Sequence, residues 1–194
     1  MKRLSAEEAI ALTRVHNFGV IYKAGLNHVE SVNLGHPVES DLSQLLLKTG
    51  RIIQQPRLSM RMSDRLSFLL LEDYDNNQTM SDCTLRASQL STPSILQVVL
   101  TFNTYEDFEG AGFARALFFL GDLLAPKLAE QCSQNMNFDT AIAVVEDTSH
   151  RRGLDRRTGW TTAHALQLGY SNNPDFLMQF GLQFNTRKML VKLI

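Results

Sequence analysis

Apolar residues fall in two rhythms along the chain, one of consecutive or alternating positions and one spaced at three and four. The first rhythm marks strands. Residues 67–71 are apolar at almost every position, an Asp75-Asn76-Asn77 turn follows, and 79–86 reads as the returning partner. Residues 94–103 and 140–145 are further buried strands, and 176–180 and 188–194 read as two shorter ones near the end. The second rhythm marks helices. Phe113, Leu117, Leu120 and Leu124 line one face of a helix over 110–124, and Pro126 either ends it or begins another turn that carries Leu128. A short helix over 161–168 stops at Gly169.

Near the start, Ser5-Ala6-Glu7-Glu8 has the spacing of a capping box and predicts a helix over 6–16, with Ala9, Ile10 and Thr13 inward. Gly19, Gly25 and Gly35 leave 18–37 without an assigned element. Ser40 and Gly50 bracket a second predicted helix over 41–49, and the arginine-rich stretch 51–65, with Pro56, reads as a loop or irregular edge. No repeat or linker interrupts the pattern. The fold class is α/β, in a single domain over residues 1–194.

Composition narrows the function more than the fold. Nineteen Lys and Arg against twenty Asp and Glu give a formal net charge of −1, which argues against a dedicated nucleic-acid binder. Cys83 and Cys132 lack metal-ligand spacing and read as buried thiols of a reducing compartment. The acidic residues near Met1 do not suit a signal peptide, and no apolar run reaches the ~20 residues of a membrane helix. These features predict a cytoplasmic protein without a metal site. The apolar strand around Met189-Leu190-Val191 suits a homodimer sheet or an internal edge equally well.

The chemistry concentrates where a buried strand ends at Asn103-Thr104 and a helix opens through Gly110-Ala111-Gly112. The first turn of a helix has unpaired N–H groups and a partial positive charge, and glycines let an anion approach the backbone. A nucleotide P-loop would need Lys and then Ser or Thr where Phe113 and Ala114 stand, and a dinucleotide fingerprint would need a small residue in place of Arg115. Taken alone, the glycines also suit a tight strand-to-helix connection.

The run Gly110-Ala111-Gly112-Phe113-Ala114-Arg115-Ala116-Leu117-Phe118 resembles the cofactor loop and helix of the GNAT superfamily of acyl-CoA-dependent N-acetyltransferases. The order of elements around it is similar too, as is the ending Leu168-Gly169-Tyr170. The resemblance implies a V-splayed mixed sheet with acetyl-CoA, or another acyl-CoA, in the gap after the family's fourth strand. Backbone groups near Phe102 and Thr104 would face the pantetheine arm, and amides of Phe108, Glu109, Gly110, Ala111, Gly112, Phe113 and Ala114 would face the pyrophosphate. An amine would be the acceptor.

Two departures accompany it. Asp107 stands where the family usually has Gln or Arg, with Glu109 beside it, and Ala165 takes the place of the family's tyrosine acid. Acyl transfer to an amine needs a base for the amine and, in some enzymes, an acid for the departing thiolate. Glu106 is the candidate base, with Tyr105 and Glu146 as others, and His164 is the candidate acid; each also reads as an ordinary surface side chain. The alternative is a non-catalytic binding or assembly module on the same fold. The basic run from His150 to Arg157 suits an acidic acceptor, nucleic acid or the nucleotide end of CoA, and a third reading is a nucleic-acid partner protein that uses Arg151, Arg152, Arg156 and Arg157.

Overall fold

The computed structural model describes residues 16–90, 94–147, 160–182 and 188–194. The capping box with its helix over 6–16, apart from His16, and the basic run 150–157 lie outside them. The described chain builds a seven-stranded mixed sheet with helices on both faces. Its order is β1 (Val38–Asp41), β4 (Pro56–Ser63), β5 (Leu66–Asp73), β6 (Gln78–Gln89), β7 (Ile95–Thr104), β8 (Thr140–Asp147) and β9 (Lys188–Leu193). A small separate hairpin joins β2 (Leu45–Leu46) to β3 (Ile52–Ile53).

The β4–β5–β6–β7 meander is antiparallel throughout, and its turns have local causes. Asn77 takes φ 47° between β5 and β6, a left-handed conformation that asparagine tolerates better than most residues. β7 and β8 form the sheet's parallel pair, joined by the long helix α2 (Phe113–Ser133) that such a crossover requires. α2 packs with α1 (His16–Val29) on one face, together with α3 (Trp160–Gln167). The short helix α4 (Pro174–Gln179) covers Ile142, Val144 and Val191 on the other face.

Three sequence expectations need correction, and one unassigned stretch gains an element. The stretch read as a helix over 41–49 is instead the end of β1, a bend, β2 and a turn, because Leu45 and Leu47 are buried while Leu46 and Lys48 are exposed, which is strand periodicity. The expected loop over 51–65 contains β3 and all of β4. There Leu58, Met60 and Met62 face inward, and Pro56 takes the first strand position, where its missing N–H is tolerated. The strand predicted over 176–180 is helical, since Asn173 Oδ1 accepts from Asp175 N–H at 2.9 Å and Pro174 occupies the first turn. The unassigned region 18–37 is largely α1, despite its two internal glycines.

Of the two alternatives at Pro126, helix α2 takes the second: it runs through the proline, carries Leu128 and reaches Ser133. An interior proline costs about 3 kcal/mol. Leu128, Ala129 and Cys132 lie beyond it with 5% exposure or less, and burying a leucine alone returns roughly 1.5–3 kcal/mol. The helix therefore continues. Just past the proline, Lys127 Nζ donates to the carbonyls of Val29 at 2.8 Å, Glu30 at 2.7 Å and Val32 at 3.4 Å, so α2 caps the C-terminal end of α1.

Candidate functional site

The glycine turn follows β7 directly. Glu106–Phe108 make one 3₁₀ turn, Gly110 has φ 74°, and Gly112 has φ 88° and forms the N-cap of α2. Both glycines are left-handed, a conformation that costs other residues roughly 1–2 kcal/mol. Phe108 and Phe113, each 1% exposed with ring centroids 6.5 Å apart, root the turn in the core from either side.

The backbone hydrogen bonds show what the turn leaves unused. Phe108 N–H donates to Tyr105 C=O at 2.9 Å and Glu109 N–H to Glu106 C=O at 3.2 Å, so two amides expected to face a ligand are already spent. The next donor in use is Ala116 N–H, to Gly112 C=O. The six amides from Gly110 to Arg115 between them have no acceptor among the described residues. Successive amides around left-handed residues at a helix N-terminus form a concavity suited to an anion, and here the run begins two residues later than the sequence resemblance implies.

Asn17, in the first turn of α1 and 3% exposed, sets the orientation of the turn. Its Nδ2 donates to Ala111 C=O at 3.1 Å and to Leu46 C=O at 2.6 Å, while Leu46 N–H donates to its Oδ1 at 2.9 Å. One buried amide thereby joins the glycine turn to the β2–β3 hairpin. The hairpin brings Lys48 across Gly110, where a Cβ would overlap the lysine side chain. Neither residue was visible as a site residue from sequence, since Asn17 lies in the stretch joining the predicted first helix to unassigned residues and Lys48 in a segment read as a helix.

Strands β7 and β8 part beside the turn. The parallel ladder of β7 and β8 ends at Leu100 opposite Val145, and from there β7 continues to Thr104 along β6 while β8 continues to Asp147 along β9. Phe102 stacks on Phe118 of α2 at 5.2 Å, with Tyr170 6.1 Å further along the same row of rings. Thr104 Oγ1 lies 2.9 Å from Ser81 Oγ, so its hydroxyl faces β6. Burial, with Asp122 nearby, pushes the Tyr170 hydroxyl well above its ordinary range.

The candidate catalytic side chains are placed separately. Glu106 is exposed in the 3₁₀ turn, and His164 is half-buried on α3, one turn before Gln167. Arg115 Nη2 reaches Gln167 Oε1 at 3.5 Å, the outer limit of a hydrogen bond, which sets this face of α3 against the start of α2. The guanidinium lies over the rings of Phe18 and Phe119 at 5.4 and 5.6 Å, and burial lowers its pKa. Tyr105 is 51% exposed, Glu146 is half-buried opposite Met189, and Ala165 is fully buried. Among the described residues no three His, Cys, Asp or Glu side chains gather as a metal site, and no helix is long and apolar enough to cross a membrane.

No family model matches the sequence, and a search of curated proteins found no match. Among solved structures, the chain is similar to the acetyltransferase of GNAT family from Streptococcus pneumoniae, at 15% identity over 68% of this chain and 69% of that one, with a TM-score of 0.35.

Proposed function

We propose that this protein transfers an acetyl or other short acyl group from CoA to an amine acceptor by direct attack. The observation that carries the reading is the run of unpartnered amides from Gly110 to Arg115, set at the start of α2 beside the point where β7 and β8 part. The loop and helix resemblance of residues 110–118 supports it. Bound acyl-CoA would supply a thioester carbonyl as the electrophile.

The chain's own part is binding, orientation and proton movement. Amides of Gly110 to Ala114 would hold the diphosphate, and the β7 edge around Phe102 and Thr104 would face the pantetheine arm. Asp107 is exposed, and an exposed like charge at 4 Å costs about 1 kcal/mol in water, against roughly 0.3–1 kcal/mol returned by the helix terminus. Several charge-assisted amide bonds at about 1.5–3 kcal/mol each outweigh that cost. Glu106 is the base that takes the amine's proton, directly or through water, and His164 is the acid that protonates the departing thiolate.

Calorimetric titration with acetyl-CoA tests the cradle. Wild type should bind in the micromolar range, and Gly112→Trp, which places an indole where the backbone must approach the diphosphate, should abolish the heat while the protein stays folded by circular dichroism. No heat from wild type at high micromolar ligand would end the proposal. Turnover is tested by thiol release with a panel of amines, where Glu106→Gln should cost about a hundredfold in kcat and leave CoA affinity unchanged.

One observation favours the second reading, a CoA-binding module without turnover. Ala165, at the position of the family's tyrosine acid, is buried at 0% exposure and offers no proton. Tight CoA binding with no thiol release from any amine would establish that reading over the enzymatic one.

A further inference from the structure

The turn that would receive a diphosphate is acidic. Glu106, Asp107 and Glu109 precede Gly110, and no basic residue falls between Asn103 and Arg115. The hairpin from another part of the chain alters this balance. Lys48 extends along the turn so closely that a side chain at position 110 would collide with its Cδ, Cε and Nζ. Its ammonium has no hydrogen-bond acceptor and no carboxylate partner among the described residues, although the exposed Glu106 and Asp107 stand four and three positions before Gly110. A lysine free to choose would be expected to pair with one of them. This one lies instead over the glycine.

Its placement is built, not incidental. Leu45 and Leu47 are buried at 0% and 4% exposure, Leu47 N–H donates to Arg51 C=O at 2.8 Å, and Arg51 Nη2 pairs with the buried Asp73 carboxylate at 3.1 Å. The Asn17 amide then binds both peptide groups of Leu46 and the carbonyl of Ala111. Hairpin and glycine turn are therefore held in one register by a single side chain, with Lys48 two residues beyond the attachment point. The lysine stem is exposed and flexible, so its ammonium can swing from Gly110 onto an anion seated on the amides.

We propose that Lys48 is a cation of this site: it pairs with the diphosphate of CoA and supplies positive charge that the turn's own sequence lacks, with Asn17 as the residue that positions it. This rests on the reading of the glycine turn as a CoA cradle. It adds a determinant from outside the strand–turn–helix segment.

The experiment is calorimetric titration of CoA at low and high salt into wild type, Lys48→Met, Lys48→Arg, Asn17→Ala and the Asn17→Ala/Lys48→Met double variant. Lys48→Met keeps the stem and should weaken CoA about tenfold, the low end for a charge-assisted contact, and flatten the salt dependence. Lys48→Arg should restore most of both. In the Asn17→Ala background, Lys48→Met should cost little more, because the lysine is no longer delivered. Thermal melts should show Lys48→Met as stable as wild type. CoA binding by Lys48→Met as tight as wild type, with the same salt slope, would overturn the lysine's role and leave the cradle standing; equal loss from Lys48→Met in both backgrounds would overturn the positioning role of Asn17. Wild type that binds no CoA would overturn both the cradle and this inference.

Discussion

Lys192 of β9 and Asp122 of α2 face each other across the sheet–helix boundary, with Nζ 2.9 Å from Oδ1 and 2.8 Å from Oδ2. The aspartate side chain is 8% exposed and the lysine 27%, so the pair is mostly withdrawn from water. Losing the lysine leaves the buried carboxylate without its cation. Lys192→Met should cost about 2 kcal/mol, less than a fully buried pair because the lysine is partly solvated, whereas Asp122→Leu together with Lys192→Met should lie close to wild type. Urea titrations of the three variants check this.

α1 packs tightly on α2 at Gly25, where a Cβ would overlap the side chain of fully buried Leu120. Gly25→Ala gains about 1 kcal/mol in helix propensity and loses roughly 1–3 kcal/mol to overpacking. Overpacking wins. The melting temperature should fall, and Gly25→Ala combined with Leu120→Ala should lose less than the sum of the single changes.

Much of the sheet was legible because its strands are apolar on runs that no helix would pattern that way. Residues 67–71, 94–103 and 140–145 are cases where local sequence and tertiary burial agree. The misread segments are those where a local signal and a long-range contact disagree. Ser40 and Gly50 look like helix caps, yet Leu46 owes its strand conformation to Asn17, 29 residues earlier in the chain. Likewise the arginines of 51–65 suggested an edge, but Arg57 and Arg61 reach Glu39 while Arg57 also reaches Asp41, and alternate residues of β4 stay buried. The glycine turn was read correctly as a turn. Which of its amides are free depends on the 3₁₀ turn before it, and that has no clear sequence signature.

Asp82 on β6 accepts from Asn103 Nδ2 at 3.2 Å, but burial raises its pKa more than this bond lowers it. A carboxyl with a folded pKa above its unfolded value binds its proton more readily when folded, so its contribution to stability is present at low pH and lost as pH rises through the folded pKa. Asp82→Asn should therefore melt higher than wild type at neutral pH. The difference should vanish below about pH 3, where the carboxyl is protonated in both states. Paired thermal melts across that range check the sign.

Cys83 and Cys132 are 0% and 2% exposed, and burial raises the pKa of both thiols. Asp82 adds to the shift at Cys83, and Cys132 Sγ donates to Asp64 C=O at 3.3 Å. A thiol whose ionisation is suppressed is a poor nucleophile. Ellman's reagent at about pH 8 should find neither thiol in the folded protein and both after denaturation.

Helix α1 is fastened at two places that differ in kind. Near one end Asn17 grips the glycine turn and the hairpin, and at the other the carbonyls of Val29, Glu30 and Val32 converge on Lys127. The rod between these moorings is 14 residues, roughly 20 Å long. It cannot slide along α2 without breaking one set of bonds. A displacement of the 30–32 corner would have to carry the whole strut with it, and with the strut the Asn17 amide that holds Ala111.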